Sequence, residues 1–255
     1  MATFPKGCAM IFGGSGGIGA GVTRTFAKAG ADVAIVYRSK QAAAESVAEE
    51  ARKAGRKATI HAADVTKAGD VQAAIDAAIA EHGRIHTVVW AAGPLVNQRY
   101  LSQTPMSEWR NAFEVEVHGF FSVFQAVVQH MREQGGGSFV TLGSAGHELW
   151  PAKDGMSVAV KASNEQLVKG IAKEEGRFKI RANSVLVGVI DAGQMHKLSE
   201  QGQLDQKWVD ASLRLIAIKR WGTAEEIGHA CVFFASDEAG YVTGQSISAS
   251  GGLGV

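Results

Sequence analysis

Gly13-Gly14-Ser15-Gly16-Gly17-Ile18-Gly19 follows an apolar run, Cys8–Phe12, and precedes a helix-like run over 20–29. Glycines allow a tight turn with positive backbone torsions. With no side chain in the way, a pyrophosphate can approach the backbone and meet the N–H groups that open the following helix. A glycine string alone is weak, because many loops are rich in glycine. Strand before, helix after and a position near the start of the chain make this one a dinucleotide-binding turn.

Working outward, Asp32–Tyr37 reads as a second buried strand, an apolar run bounded by turn residues. Its end bears on the type of dinucleotide. An acidic residue there would bond the ribose hydroxyls of NAD and repel a 2′-phosphate. This chain has Tyr37-Arg38-Ser39-Lys40 instead, two cations and a hydroxyl. Arg38 can bond a phosphate in bidentate fashion. The other reading is a solvated basic turn before a helix. NADP(H) is expected ahead of NAD(H).

The alternation then repeats. Residues 42–54 are helical by propensity, with Gly55 as a C-terminal cap. Residues 57–62 form a third strand with Asp64 and Val65 at its carboxyl end. Val71, Ala74, Ile75, Ala78 and Ile79 make one apolar helix face. Ile85–Trp90 is a fourth strand, ending in Ala91-Ala92-Gly93. A loop over 94–106 leads to Ser107, read as the cap of a long helix whose Trp109, Phe113, Val117, Phe121, Phe124 and Val128 form a stripe for the core or a subunit interface. A fifth strand over 139–142 ends at Ser144, a second long helix spans 158–174, Ile180–Val187 is a sixth strand and 245–249 a seventh. The pattern predicts an α/β, Rossmann-type doubly wound fold: a seven-stranded parallel sheet with helices on both faces. Residues 1–255 form one domain, with a substrate flap around 190–218.

Bulk properties narrow the class. The chain has 255 residues, 46% hydrophobic and 20% charged, with 26 Lys and Arg against 25 Asp and Glu. That balance gives no electrostatic case for nucleic acid or an anionic membrane surface, and no apolar run is long enough to span a bilayer. Cys8 and Cys231 read as buried thiols. With no signal-peptide pattern in Met-Ala-Thr-Phe-Pro-Lys, a cytoplasmic protein is expected.

With these elements in place, the chain resembles the short-chain dehydrogenase/reductase family along essentially its whole length. The glycine turn matches the family's cofactor loop, with Phe12 where a threonine is usual. Asp64 and Val65 match the pair that brackets the adenine. Ala92-Gly93 closes the motif after the fourth strand, with Trp90 and Ala91 in place of asparagines. Ser144 matches the active-site serine, Arg181-x-Asn183 leads into the sixth strand, and Gly244 with Gly251-Gly252 resembles the C-terminal signature. The resemblance implies a cofactor site built from Gly13, Ser15, Gly16, Gly17, Ile18, Gly19, Tyr37, Arg38, Ser39, Lys40, Asp64, Val65, Ala91, Ala92, Gly93, Lys161, Val187, Gly188 and Ile190. It also implies a homotetramer, with helices near 107–133 and 155–175 pairing across a two-fold axis.

The proton machinery departs from the family. Its Tyr-x-x-x-Lys uses the phenol to move a proton and the lysine to lower the phenol's pKa from about 10. Here the lysine is Lys161 and the residue four before it is Ser157. No register slip repairs this, because the three tyrosines are Tyr37, Tyr100 and Tyr241. Glu116 stands where the relay asparagine is usual, Val187-Gly188 replaces Pro-Gly, and Ala192 replaces a threonine. Ser144, Ser157, Lys161 and Glu116 are therefore the catalytic candidates. Ser157 either donates a bond to a developing oxyanion or holds a water, or it simply fills the space of the lost tyrosine. His147, Glu148, His118, Asp154 and Tyr100 are further conceivable proton donors, while Trp150 and Pro151 suggest an apolar or cyclic small-molecule substrate. The expected function is an NADPH-dependent reductase of a carbonyl or conjugated enone with non-standard proton delivery. A catalytically silent NADP(H)-binding sensor or subunit partner, and a non-redox lyase or isomerase, are the alternatives.

Overall fold

Seven runs become strands: β1 (Cys8–Phe12), β2 (Asp32–Tyr37), β3 (Ala58–Ala62), β4 (Ile85–Trp90), β5 (Gly137–Ser144), β6 (Ile180–Val187) and β7 (Ser246–Ala249). In the computed structural model, which describes residues 2–254, they form one parallel sheet in the order β3-β2-β1-β4-β5-β6-β7. Around it lie α1 (Gly17–Lys28), α2 (Gln41–Lys53), α3 (Ala68–His82), α4 (Met106–Phe113), α5 (Gly119–Glu133), α6 (Gly146–Leu149), α7 (Gly155–Glu175), α8 (Gln194–Glu200), α9 (Gln206–Leu215) and α10 (Ala224–Ala235).

Alternation along β1 explains the two layers. Side chains of successive strand residues point to opposite faces. Cys8, Met10 and Phe12 join one core with residues of α3, α5 and α7, while Ala9 and Ile11 join the other with residues of α1, α2 and α10. Both faces are therefore covered, and polar side chains of the central strands such as His86, Thr87, Ser138 and Thr141 are buried with the rest. The order reverses between β1 and β4, and a crevice opens there beyond the carboxyl ends of the strands, where doubly wound sheets take their ligands. Cys8 and Cys231 are both buried free thiols, and burial pushes the Cys8 thiol up to about 12. Among the described residues no helix is long and apolar enough to cross a membrane, and no group of three or more His, Cys, Asp or Glu could hold a metal ion.

Two expectations need correction. Ser107 is not the cap of the long helix: Pro105 takes that position, its fixed φ of −62° suiting a helix entrance, and Ser107 lies inside α4. The long helix is also not continuous. A π-turn at Glu114–His118 joins α4 to α5, and its wider turn rotates everything that follows. Trp109, Phe113 and Val117 pack in one small cluster, but the buried line then continues through Phe120, Val123, Val127 and Met131, leaving Phe121 at the surface. The expected flap around 190–218 contains two helices, α8 and α9.

Candidate active site

The carboxyl ends of the central strands open into one cavity of about 800 Å³. Its wall brings together Gly13, Ser15, Gly16, Gly17, Ile18, Gly19, Tyr37, Arg38, Ser39, Lys40, Asp64, Val65, Ala91, Ala92, Gly93, Val187, Gly188 and Ile190 with Glu116, Ser144, Ser157 and Lys161. Every cofactor and catalytic candidate taken from the sequence lies on this one surface.

At the glycine turn the backbone itself forms the wall. Gly13 has φ +79°, and a Cβ there would stand 2.6 Å from the Ala91 carbonyl oxygen, so only glycine fits. A Cβ on Gly16 would meet nothing within 4 Å, which leaves the backbone open to a bound group. No acidic residue and no capping side chain occupies the first turn of α1. Its free N–H groups suit a pyrophosphate.

At the end of β2, Arg38, Ser39 and Lys40 are exposed, and neither cation forms an ion pair among the described residues. Asp64 nearby accepts from the Thr66 hydroxyl at 2.8 Å and the Thr66 amide at 3.1 Å, and these bonds hold its carboxyl below the usual range. The cradle and the charges fit a nicotinamide dinucleotide.

The catalytic candidates sit beyond β4 and β5. Lys161 Nζ donates to Glu116 Oε1 at 2.7 Å, and Glu116 is only 3% exposed. The π-turn aims that carboxylate: Asn164 Nδ2 donates to the Glu116 carbonyl at 3.0 Å, and a Cβ on Gly93 would come within 2.6 Å of Glu116 Oε1. Glycine at 93 is what admits the acid. Ser157 and Lys161, four apart in α7, share one helix face. Ser144 Oγ accepts from the Gly146 amide at 3.0 Å, which fixes the hydroxyl oxygen at the end of β5.

Four of the five other conceivable donors fall away from the cavity. Both ring nitrogens of His147 are engaged, Nδ1 with Glu165 at 2.8 Å and Nε2 with the Val158 carbonyl at 3.2 Å. Burial raises the Glu165 carboxyl above the usual range. Tyr100 is 51% exposed beneath the Lys153 ammonium, and His118 and Glu148 are exposed; none of the four lines the wall. Asp154, Trp150 and Pro151 do line it. Trp150 holds φ +46°, a strained value for a bulky residue and one that marks the segment between β5 and α7 as built for its position.

Several wall residues escaped sequence reasoning. Leu198 of α8, Leu204 and Leu253 near the C-terminus are among them, and with Trp208 and Leu215 of α9, both within the expected flap, they supply an apolar roof. Gln98 and Gln203 tie that roof to the floor: Gln203 Oε1 accepts from the Gln98 amide at 3.0 Å, and Gln203 Nε2 donates to Asn97 Oδ1 at 3.2 Å. Partners more than a hundred residues apart leave no local signal.

Residues 13–254 match the family model described as Enoyl-(Acyl carrier protein) reductase. The chain is 32% identical over 246 residues to the 3-oxoacyl-(acyl-carrier-protein) reductase FabG of Chlamydia muridarum, covering 96% of each protein. It is 31% identical over 245 residues to the 7alpha-hydroxysteroid dehydrogenase of Escherichia coli, covering 96% of this chain and 93% of that one. Among solved structures, a short-chain type dehydrogenase/reductase from Mycobacterium ulcerans superposes with a TM-score of 0.91 at 28% identity, covering 98% of this chain and 90% of that one. A 7alpha-hydroxysteroid dehydrogenase complexed with NADH and 7-oxo glycochenodeoxycholic acid gives 0.87 at 29%, covering 97% and 94%.

Proposed function

The chain belongs to the short-chain dehydrogenase/reductase family, and from that premise we propose that it is an NADPH-dependent reductase of an apolar carbonyl or conjugated enone with non-standard proton delivery. The carrying observation is that Ser144, Ser157 and Lys161 share one cavity wall with an open glycine cradle, while the wall's one tyrosine, Tyr37, lies at the end of β2, three strands from Ser144. A bound reduced nicotinamide supplies hydride. The chain's own residues do the rest. Arg38, Ser39 and Lys40 hold a 2′-phosphate, the start of α1 meets the pyrophosphate, and Asp64 and Val65 bracket the adenine. Lys161 holds the nicotinamide ribose, and Ser144 and Ser157 hold the acceptor oxygen as negative charge develops on it. The names of the relatives, which act on 3-oxoacyl and hydroxysteroid groups, support a carbonyl acceptor. The Leu and Trp roof supports an apolar, cyclic one.

NADPH oxidation by the purified protein tests this against a 3-oxoacyl thioester, a 7-oxo bile acid, simple cyclic ketones and their conjugated enones. Turnover that Lys161→Ala abolishes supports the reading, and the preferred acceptor separates ketone from enone. One observation favours a second reading. The Lys161 ammonium is already bound to Glu116, and a lysine so occupied suits a protein that binds NADPH without turnover. Silence across the panel with tight NADPH binding selects that reading, and product formed without cofactor would select a lyase or isomerase.

We also read α8 and α9 as a flap latched by Gln203. Losing its two hydrogen bonds to residues 97 and 98, each at the lower end of about 0.5–1.5 kcal/mol, should let the flap open. Gln203→Ala is expected to raise KM by roughly five- to tenfold with kcat within about twofold. Unchanged KM and unchanged proteolytic cleavage in 194–215 would remove the flap from the proposal. For assembly we propose a homotetramer, with exposed Phe121 on α5 in one contact and Ile247 on β7 in the other. A monomeric mass by light scattering would refute it.

A further inference from the structure

We propose that Asp154 is the acid that delivers the proton in this site, held in place by Gln98 and through it connected to the flap. The proposal rests on the reductase reading above and adds a catalytic residue to it.

Its first support is what Asp154 does not do. Asp154 occupies the N-cap of α7, where an aspartate ordinarily accepts from the helix's own amides. Here the side chain makes no capping bond. It turns instead to the cavity wall and accepts from Gln98 Nε2 at 3.2 Å. Giving up a cap sacrifices about 1 kcal/mol of helix stability, so its direction asks for another reason.

Position supplies the second support. Asp154, Ser157 and Lys161 stand at i, i+3 and i+7 on one face of α7, and all three line the cavity. The remaining titratable groups of the wall are committed or distant. Glu116 is bound to Lys161. Tyr37, Arg38, Lys40 and Asp64 lie at the ends of β2 and β3. From β2 to the β5 serine is three strand spacings, about 14 Å. Lys197 belongs to α8, over the roof. Asp154 is the carboxyl left free at the acceptor end among the described residues.

Its surroundings favour the protonated form. Burial raises the Asp154 carboxyl above the usual aspartate range, and the Gln98 bond and the Lys161 charge offset this only in part. Lys161 is the charged group acting on it from its own helix. The loop packed against it offers neutral Gln98, and the flap offers neutral Gln203. Arg99 faces Glu108 at 3.5 Å, and Lys153 lies over the Tyr100 ring.

The step balances without a phenol. The acceptor carbon gains hydride from the reduced nicotinamide and the C=O π pair moves to oxygen. The Asp154 O–H bond breaks and its proton completes the alcohol. The products are the alcohol, oxidised cofactor and an Asp154 carboxylate that Gln98 and Lys161 stabilise until solvent returns a proton. Because the acid must start protonated, the rate falls as pH rises through its raised pKa.

Asp154→Asn, Asp154→Glu and Gln98→Ala test this. With the acceptor turned over best from the panel, Asp154→Asn is expected to lose about 100-fold or more in kcat and the high-pH decline, with NADPH binding unchanged. Asp154→Glu should keep part of the rate. Gln98→Ala should move the decline to higher pH, because it removes a bond that favours the carboxylate. Independently of turnover, infrared difference spectra of wild type against Asp154→Asn should show a protonated carboxyl band that persists above the usual aspartate range and is lost as pH rises. A carboxylate band only, or an Asp154→Asn enzyme with wild-type kcat and pH decline, overturns the assignment and leaves the reductase reading intact. A wild-type protein that oxidises NADPH with no member of the panel overturns both.

Discussion

Lys161→Ala is expected to reduce NADPH-dependent turnover at least about 100-fold and also to lower the free energy of unfolding by about 2 kcal/mol. The second effect is unusual for a lysine in an open active site, and it follows from its partner. Glu116 is buried at 3% exposure and gives its Oε1 to the ammonium at 2.7 Å. Removing one member of a buried pair strands the other charge, at a cost of roughly 3–5 kcal/mol when both are deep. Here Lys161 is 21% exposed, so water from the cavity screens part of the loss and the lower figure applies. Glu116→Gln removes the stranded charge. The double variant Lys161→Ala/Glu116→Gln should therefore recover most of the stability and none of the turnover. Urea denaturation and steady-state rates on the four proteins of the cycle separate the two effects. If Lys161→Ala unfolds at the wild-type midpoint, the pair carries no stability and Glu116 is held by its surroundings alone.

That pair also marks where sequence reasoning stops. β1, β2, β4 and β6 begin and end at the residues read for them in the sequence. A parallel strand covered on both faces has no solvated side to blur its limits. The π-turn at Glu114–His118 leaves no such trace. Its residues have ordinary helical character, and what stabilises the wider turn is distant: Lys161 on the side chain of Glu116 and Asn164 on its carbonyl. A stripe extrapolated across it at 3.6 residues per turn runs through Phe121 for the core or a subunit interface, while the structure buries Phe120 in the core and leaves Phe121 at the surface. Departures from the family pattern at Ser157 and Glu116 are legible as letters. Their consequence, a salt bridge and a freed carboxyl one turn earlier at Asp154, needs three dimensions. Gln98 and Asp154 are 56 residues apart, Gln98 and Gln203 105, and neither contact has a periodicity to betray it.

The basic turn after β2 carries the other large effect. Arg38→Asp is expected to weaken NADPH binding by about 10- to 100-fold and to leave NADH binding within a fewfold of wild type. A charge-assisted bond contributes about 1.5–3 kcal/mol, and each 1.4 kcal/mol is tenfold in Kd. Arg38, Ser39 and Lys40 are exposed on the cavity wall, and neither cation meets a carboxylate partner among the described residues, so a 2′-phosphate would find them free. Asp64, held ionised by its Thr66 bonds, makes the contrast sharper. Once Arg38 is gone, only Lys40 is left in the turn to offset that carboxylate at the phosphate, while ribose hydroxyls lose nothing by its presence. Because these charges are exposed, the wild-type preference should also shrink as ionic strength rises. Fluorescence titration of both cofactors at low and high salt measures it directly. Equal wild-type affinities for NADPH and NADH, or equal weakening of both by Arg38→Asp, would mean that the turn is a solvated helix entrance and nothing more.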